Sequence, residues 1–316
     1  MFTYNLVSDR SPLRSLLTIL LNIFLGFVVV GPGLGLAIAS LFYDGTLLTL
    51  LEEIQDPEAH PDILVPLLVT QSVATLVGLI ILPSIHLVAL ERKSIKPFFP
   101  SQPRIWIALL MVIGIGITFM ISISPLVEWN MNLKFPEFLK DFETWARDAE
   151  DRTAKLTEVM TNFKSTGDLM IGLIVIALLP AIGEELVFRG MFQNELMRAS
   201  GNIHLAIWLS AIIFSTIHFQ FYGFVPRVLL GALFGYLYFW SGNLLIPMFA
   251  HFFNNAFGVI MIYLHHEKIT DLNVEDNTAA PMPYVILNIA LTVGILYYFR
   301  KHYRSVREES SGRYNF

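Results

Sequence analysis

What most constrains this chain is a succession of apolar runs, each long enough to cross a bilayer. The run 105–127 contains no charged residue, and a membrane helix needs about 20 such positions. Comparable runs occupy 15–43, 63–90, 203–221, 224–240, 244–264 and 284–299, and another begins near Leu169. The chain is 54% hydrophobic and only 15% charged, where a soluble domain carries about 25% charged residues. The expected fold is therefore all-α: a polytopic integral membrane protein with about eight helices in one bundle. Gly31-Pro-Gly-Leu-Gly35 is expected to kink the first span. That run is too long for a signal-peptide core and reads as a retained span.

Charge divides the chain into four parts. Residues 1–127 form a three-span segment, with Trp106 and Trp129 at the interfacial ends of the third span. Residues 128–167 are charged. They carry Phe138, Phe142 and Trp145 at i, i+4, i+7, and Leu156, Met160 and Phe163 repeat that spacing. One or two amphipathic helices on the membrane surface fit this pattern, as does an extramembrane helical hairpin. Residues 168–264 hold the ionisable groups at membrane depth. Residues 265–316 hold the last span and a basic tail with Arg300, Lys301, Arg304 and Arg307.

Basic residues also orient the chain. The N-terminus with Arg10 and Arg14, the 91–104 loop, the 184–203 segment and the tail carry 13 of the 21 Lys and Arg. The positive-inside rule places both termini in the cytoplasm. The acidic loop with Asp44, Glu52, Glu53, Asp56, Glu58 and Asp62 is assigned to the other side. With no cysteine, disulfides, thiolate nucleophiles and cysteine zinc sites are excluded. Membrane lipid is the expected surrounding, and no nucleic-acid partner is expected.

Ionisable groups inside spans are expensive and are functional candidates by default. Glu184 and Glu185 fall in Ala181-Ile-Gly-Glu-Glu-Leu-Val-Phe-Arg189, within a helix predicted to run on to about Ser200. Glu185 and Arg189 are at i,i+4 and can pair. Glu184 lies about 100° around the helix and is left for chemistry. His218 ends Phe214-Ser-Thr-Ile-His218, and His251 and Asn255 share a helix face in His251-Phe-Phe-Asn-Asn255. If these helices pack together, Glu184 and His218 supply bases for water, and His251 and Asn255 supply donors for an oxyanion. Taken singly, a histidine or asparagine in a span is as readily an interhelical hydrogen-bond partner. His86 and His204 are read as structural, and His265-His-Glu267 as a surface cluster.

The three motifs, in this order and spacing, resemble the CPBP family of intramembrane proteases. That family includes type II CAAX prenyl endopeptidases and bacterial proteins linked to bacteriocin processing or self-immunity. The resemblance covers roughly residues 168–264. It implies a membrane-embedded endopeptidase acting on a lipidated or membrane-associated peptide or protein near the cytoplasmic face. It also implies that Glu184 and His218 activate water, that His251 and Asn255 hold the oxyanion, and that Glu185 and Arg189 brace the site. Family names include metalloendopeptidase, and Glu184, His218 and His251 would be an acceptable zinc set. No His-Glu-x-x-His helix is present. A metal-free site, with a glutamate raised in pKa by desolvation, is preferred. The competing readings are a proton-coupled transporter, against which the missing internal repeat counts, and an inactive membrane scaffold. If the chain is bacterial, the plasma membrane is the expected location, and a prenylated substrate is not.

Overall fold

Backbone polar groups in lipid must find partners within their own segment, and helices do this. The computed structural model describes residues 10–312 except 58, 103, 274 and 275, with side chains described to Arg304 except that of Pro61. Glu58 of the acidic loop and the Arg307 side chain lie outside the described residues. The elements are α1 (Pro12–Phe42), α2 (Leu47–Glu53), α3 (Leu64–Leu90), α4 (Ile105–Met131), α5 (Lys140–Thr161), α6 (Thr166–Ser200), α7 (Ile203–Thr216), α8 (Phe224–Ser241), α9 (Leu245–His266) and α10 (Met282–Gly312). No strand occurs among the described residues.

Among the described residues seven helices are long and apolar enough to cross a membrane, and this is a multi-pass membrane protein. The eighth apolar helix, α7, has 14 residues. At 1.5 Å per residue it reaches roughly 21 Å, short of the roughly 30 Å hydrocarbon core. The chain turns within the bundle after Thr216, where a full eighth span was expected to continue to Phe221.

Prolines shape the long helices. A helical proline lacks an N–H and its ring collides with the carbonyl four residues back. Pro32, Pro83 and Pro180 each follow a π-helical turn, Phe24–Val30, Leu76–Ile81 and Leu173–Leu178 respectively. The wider i→i+5 turn relieves that collision. The helix α1 consequently runs through its glycine-rich stretch rather than ending there. The glycines serve close packing. A Cβ on Gly26, Gly31 or Gly35 would stand 2.8, 2.7 and 2.8 Å from the Cα atoms of Gly78, Ala74 and Thr70 on α3. Small residues let membrane helices approach to backbone contact in this way.

The two ends of the bundle differ. At one end Arg198 donates to the Arg10 carbonyl and pairs with Glu195, Lys93 bridges Glu195 at 2.7 Å, and Arg10 stands 4.0 Å from Glu91. Tyr303 donates to Gln102. The N-terminus, the 91–104 loop, the end of α6 and the tail therefore meet at one end, the four segments grouped by charge above. At the other end α5 caps the bundle. Its Leu156 and Val159 pack on Ala39, Leu50, Ile63 and Leu67, and its Phe142 meets Phe135 and Phe221 edge-on. Phe138 faces outward at 83% exposure. Trp106 and Trp129 are exposed at the ends of α4, as interfacial anchors would be.

Candidate active site

The centre is built on α6, between two π turns, Leu173–Leu178 and Leu186–Phe192. Single π turns recur at functional sites because they rotate the residues that follow. Glu185 is 0% exposed and Arg189 1%. The expected i,i+4 pair forms, with Arg189 Nη1 donating to Glu185 Oε1 at 2.6 Å. Arg189 Nη2 donates to the Gly231 carbonyl on α8 at 2.8 Å. The guanidinium also lies 4.9 Å from the Phe214 ring centre and 5.5 Å from that of Phe234, where a desolvated cation is attracted.

One turn on, Gln193 donates to the Gly235 carbonyl. A Cβ at Gly231 would meet Arg189 Nη2 at 3.2 Å, and one at Gly235 would meet Gln193 Oε1 at 2.8 Å. Two glycines a turn apart thus admit two long polar side chains. Sequence reasoning passed over both glycines and Gln193, although Gly231-Ala-Leu-Phe-Gly235 is a recognisable small-residue pattern.

His251 comes in from α9, 4% exposed. Its Nδ1 lies 2.9 Å from Glu185 Oε1, and its Nε2 lies 3.8 Å from Glu184 Oε2. A carboxylate only accepts, so His251 Nδ1 carries the hydrogen. Neutral His251 then presents a bare Nε2, and it donates to a developing oxyanion only as imidazolium. Phe234 stacks on the ring at 5.3 Å and Phe214 meets it edge-on.

His218 follows α7 directly. Its Nδ1 donates to the Phe214 carbonyl at 2.7 Å, which explains the four-residue spacing of that motif. A carbonyl also only accepts, so neutral His218 keeps Nε2 as a base. Glu184 and His251 lie within coulombic reach of this ring. Asn255 donates to the Ile176 carbonyl at 3.5 Å, a long contact. Ile176 is four residues before Pro180, so its carbonyl lacks the usual helical donor. In this conformation Asn255 binds helix to helix.

The structure therefore brings Glu184, Glu185, Arg189 and His251 together, with His218 within coulombic reach of Glu184 and His251 and Asn255 one turn along α9. Arg227, Gln220 and Glu150 were overlooked. Arg227 lies within coulombic reach of Glu184 and His218, but isolated polar residues near helix ends carry no spacing signal. His86 and His204 find structural partners in Asn22 and Tyr236. Counting 16 residues from Glu184 to Ser200, the site lies roughly 24 Å along the helix from the basic end.

Fold and site together define a class: a multi-pass helical membrane protein with a buried Glu–Arg–His centre. Within it, residues 166–257 match the family described as type II CAAX prenyl endopeptidase Rce1-like. That matched segment contains all six candidate residues. A 100-residue stretch is 33% identical to the uncharacterized protein YpbD of Bacillus subtilis (strain 168), covering 30% of this chain and 48% of that protein. The chain thus spans about half the length of the curated relative it matches. No solved structure matches.

Proposed function

We propose that this protein is an intramembrane endopeptidase that hydrolyses a peptide bond of a membrane-associated or lipidated peptide or protein. The observation that carries this reading is the convergence of Glu184 on His251 Nε2 while Glu185 is committed to Arg189 and His251 Nδ1. One carboxylate is thereby fixed as a brace, and its neighbour is left to take a proton.

In this reading water between Glu184 and His218 loses a proton as it attacks the peptide carbonyl. His251, as imidazolium beside Glu185, and the Asn255 amide stabilise the oxyanion. The proton then passes to the leaving amine. Among the described residues no three His, Asp or Glu side chains are grouped to hold a metal ion. The metal-free site is the reading proposed; Glu184, His218 and His251 are the residues that would hold zinc in the alternative, and no step is routed through a metal. The basic end is assigned to the cytoplasm, with both termini there, and the plasma membrane is the proposed location for a bacterial chain.

The test is purified protein in liposomes with membrane-associated peptides, assayed for cleavage and for ion flux. Cleavage by the wild type that is lost in Glu184→Gln supports the peptidase. Glu184-dependent ion flux without cleavage supports the transporter instead.

A further inference from the structure

The turn after His218 is a strained piece of backbone beside the site. Phe219 has φ +54°, a left-handed conformation that is unfavourable for a bulky residue. Its side chain is 68% exposed, so packing of that ring does not hold it. A cavity of about 280 Å³ lies between the turn and α5, bounded by Phe142, Trp145, Ser215, Phe219 and Phe221. The backbone that carries His218 is thus strained and has open space on one side.

Hydrogen bonds from two other elements hold the next residue. Arg227 on α8 donates from Nη2 to Gln220 Oε1 at 2.7 Å and from Nη1 to the Gln220 carbonyl at 3.4 Å. Gln220 Nε2 donates to Glu150 Oε1 on α5 at 3.3 Å. Gly223 leaves room for this, since a Cβ there would stand 2.8 Å from Arg227 Nη2. Farther along, Asn130 on α4 donates to the Phe221 carbonyl and accepts from the Val225 N–H, and Arg147 lies over the Tyr222 ring at 4.3 Å.

We propose that Gln220, Arg227 and Glu150 are positioning residues that hold the Phe219 turn, and through it His218, against Glu184. The amphipathic helix α5 is then part of the catalytic apparatus, contributing Glu150 as the outer anchor. The kinetic part of this proposal rests on the peptidase reading; the positional part does not.

The test has two readouts on full-length protein in detergent. The first is carbethoxylation of His218 by diethyl pyrocarbonate, mapped by mass spectrometry, with exposed His204 as internal reference. Gln220→Ala and Arg227→Ala are expected to raise the His218 rate several-fold relative to His204. The second is peptide cleavage, where misplacement of the imidazole should lower kcat by about 10²-fold with little change in KM. Glu150→Gln, whose amide oxygen still accepts from Gln220, should restore most of what Glu150→Ala loses. If Arg227→Ala fails to fold, Gln220→Ala, which removes no charge, gives the same readout. An unchanged His218 rate in folded Gln220→Ala overturns the proposal. If the wild type cleaves no peptide, the peptidase reading fails while the modification rates still decide the positional claim.

Discussion

Glu185 Oε1 accepts from both Arg189 and His251, while Glu185 Oε2 is buried without a hydrogen-bond partner. Such a carboxylate is stable only while its cation is present. Arg189→Ala leaves a buried charge uncompensated, so it is expected to lower stability by about 3–5 kcal/mol, read as a fall in melting temperature in detergent. Unchanged melting would mean the pair contributes nothing. Arg189→Lys should also lose stability, because one ammonium does not reproduce the fork that reaches both Glu185 and the Gly231 carbonyl. The Glu185–Arg189 pair was legible because helix geometry alone fixes an i,i+4 contact. The 2.9 Å bond from His251 to the same oxygen was not, because it joins residues 66 apart in sequence through packing that no local pattern encodes.

At the scale of the element, apolar runs foretold the membrane helices, and the grouping of basic loops foretold which ends meet. Two features escaped. One is the packing of the α1 glycines against α3, since flexible bending and backbone contact call for the same residue and only bending is read from the sequence. The early end of α7 escaped because Ile217, Phe219 and Phe221 continue the apolar run past Thr216 and no proline or glycine marks the stop. A Cβ on Gly78 would stand 2.5 Å from the Phe27 Cα and N atoms. Gly78→Ala is therefore expected to force α1 and α3 apart at about 1–3 kcal/mol. On α5, burial pushes the Glu150 carboxyl up from its usual range, opposed by Arg227 and the Tyr222 backbone. The folded state then binds that proton more tightly than the unfolded chain does. The carboxyl's contribution is lost as pH rises from the ordinary carboxylate value through the raised one. Glu150→Gln removes that loss, so its melting temperature should gain on the wild type as pH rises above the ordinary carboxylate value of about 4. A constant difference as pH rises would contradict the assignment.

At the scale of the molecule, the chain is a bundle with one ionic end, one end capped by α5 and a polar centre between them. The absence of cysteine allows single-cysteine labelling to orient it. Lys96→Cys is expected to label only from the cytoplasmic side and Glu52→Cys only from the other, and the reverse pattern would invert the topology. The central claim is that Glu184 and His218 act together on one water. Its most direct test is the peptide-cleavage rate of Glu184→Gln, His218→Ala and the double variant, each checked for intact melting. General-base help is worth about 10²–10⁴-fold, and groups acting as a unit are not additive. Each single variant should lose at least about 10²-fold in kcat, and the double should lose little more than the worse single. Single variants at the wild-type rate, or losses that multiply in the double variant, would contradict the account.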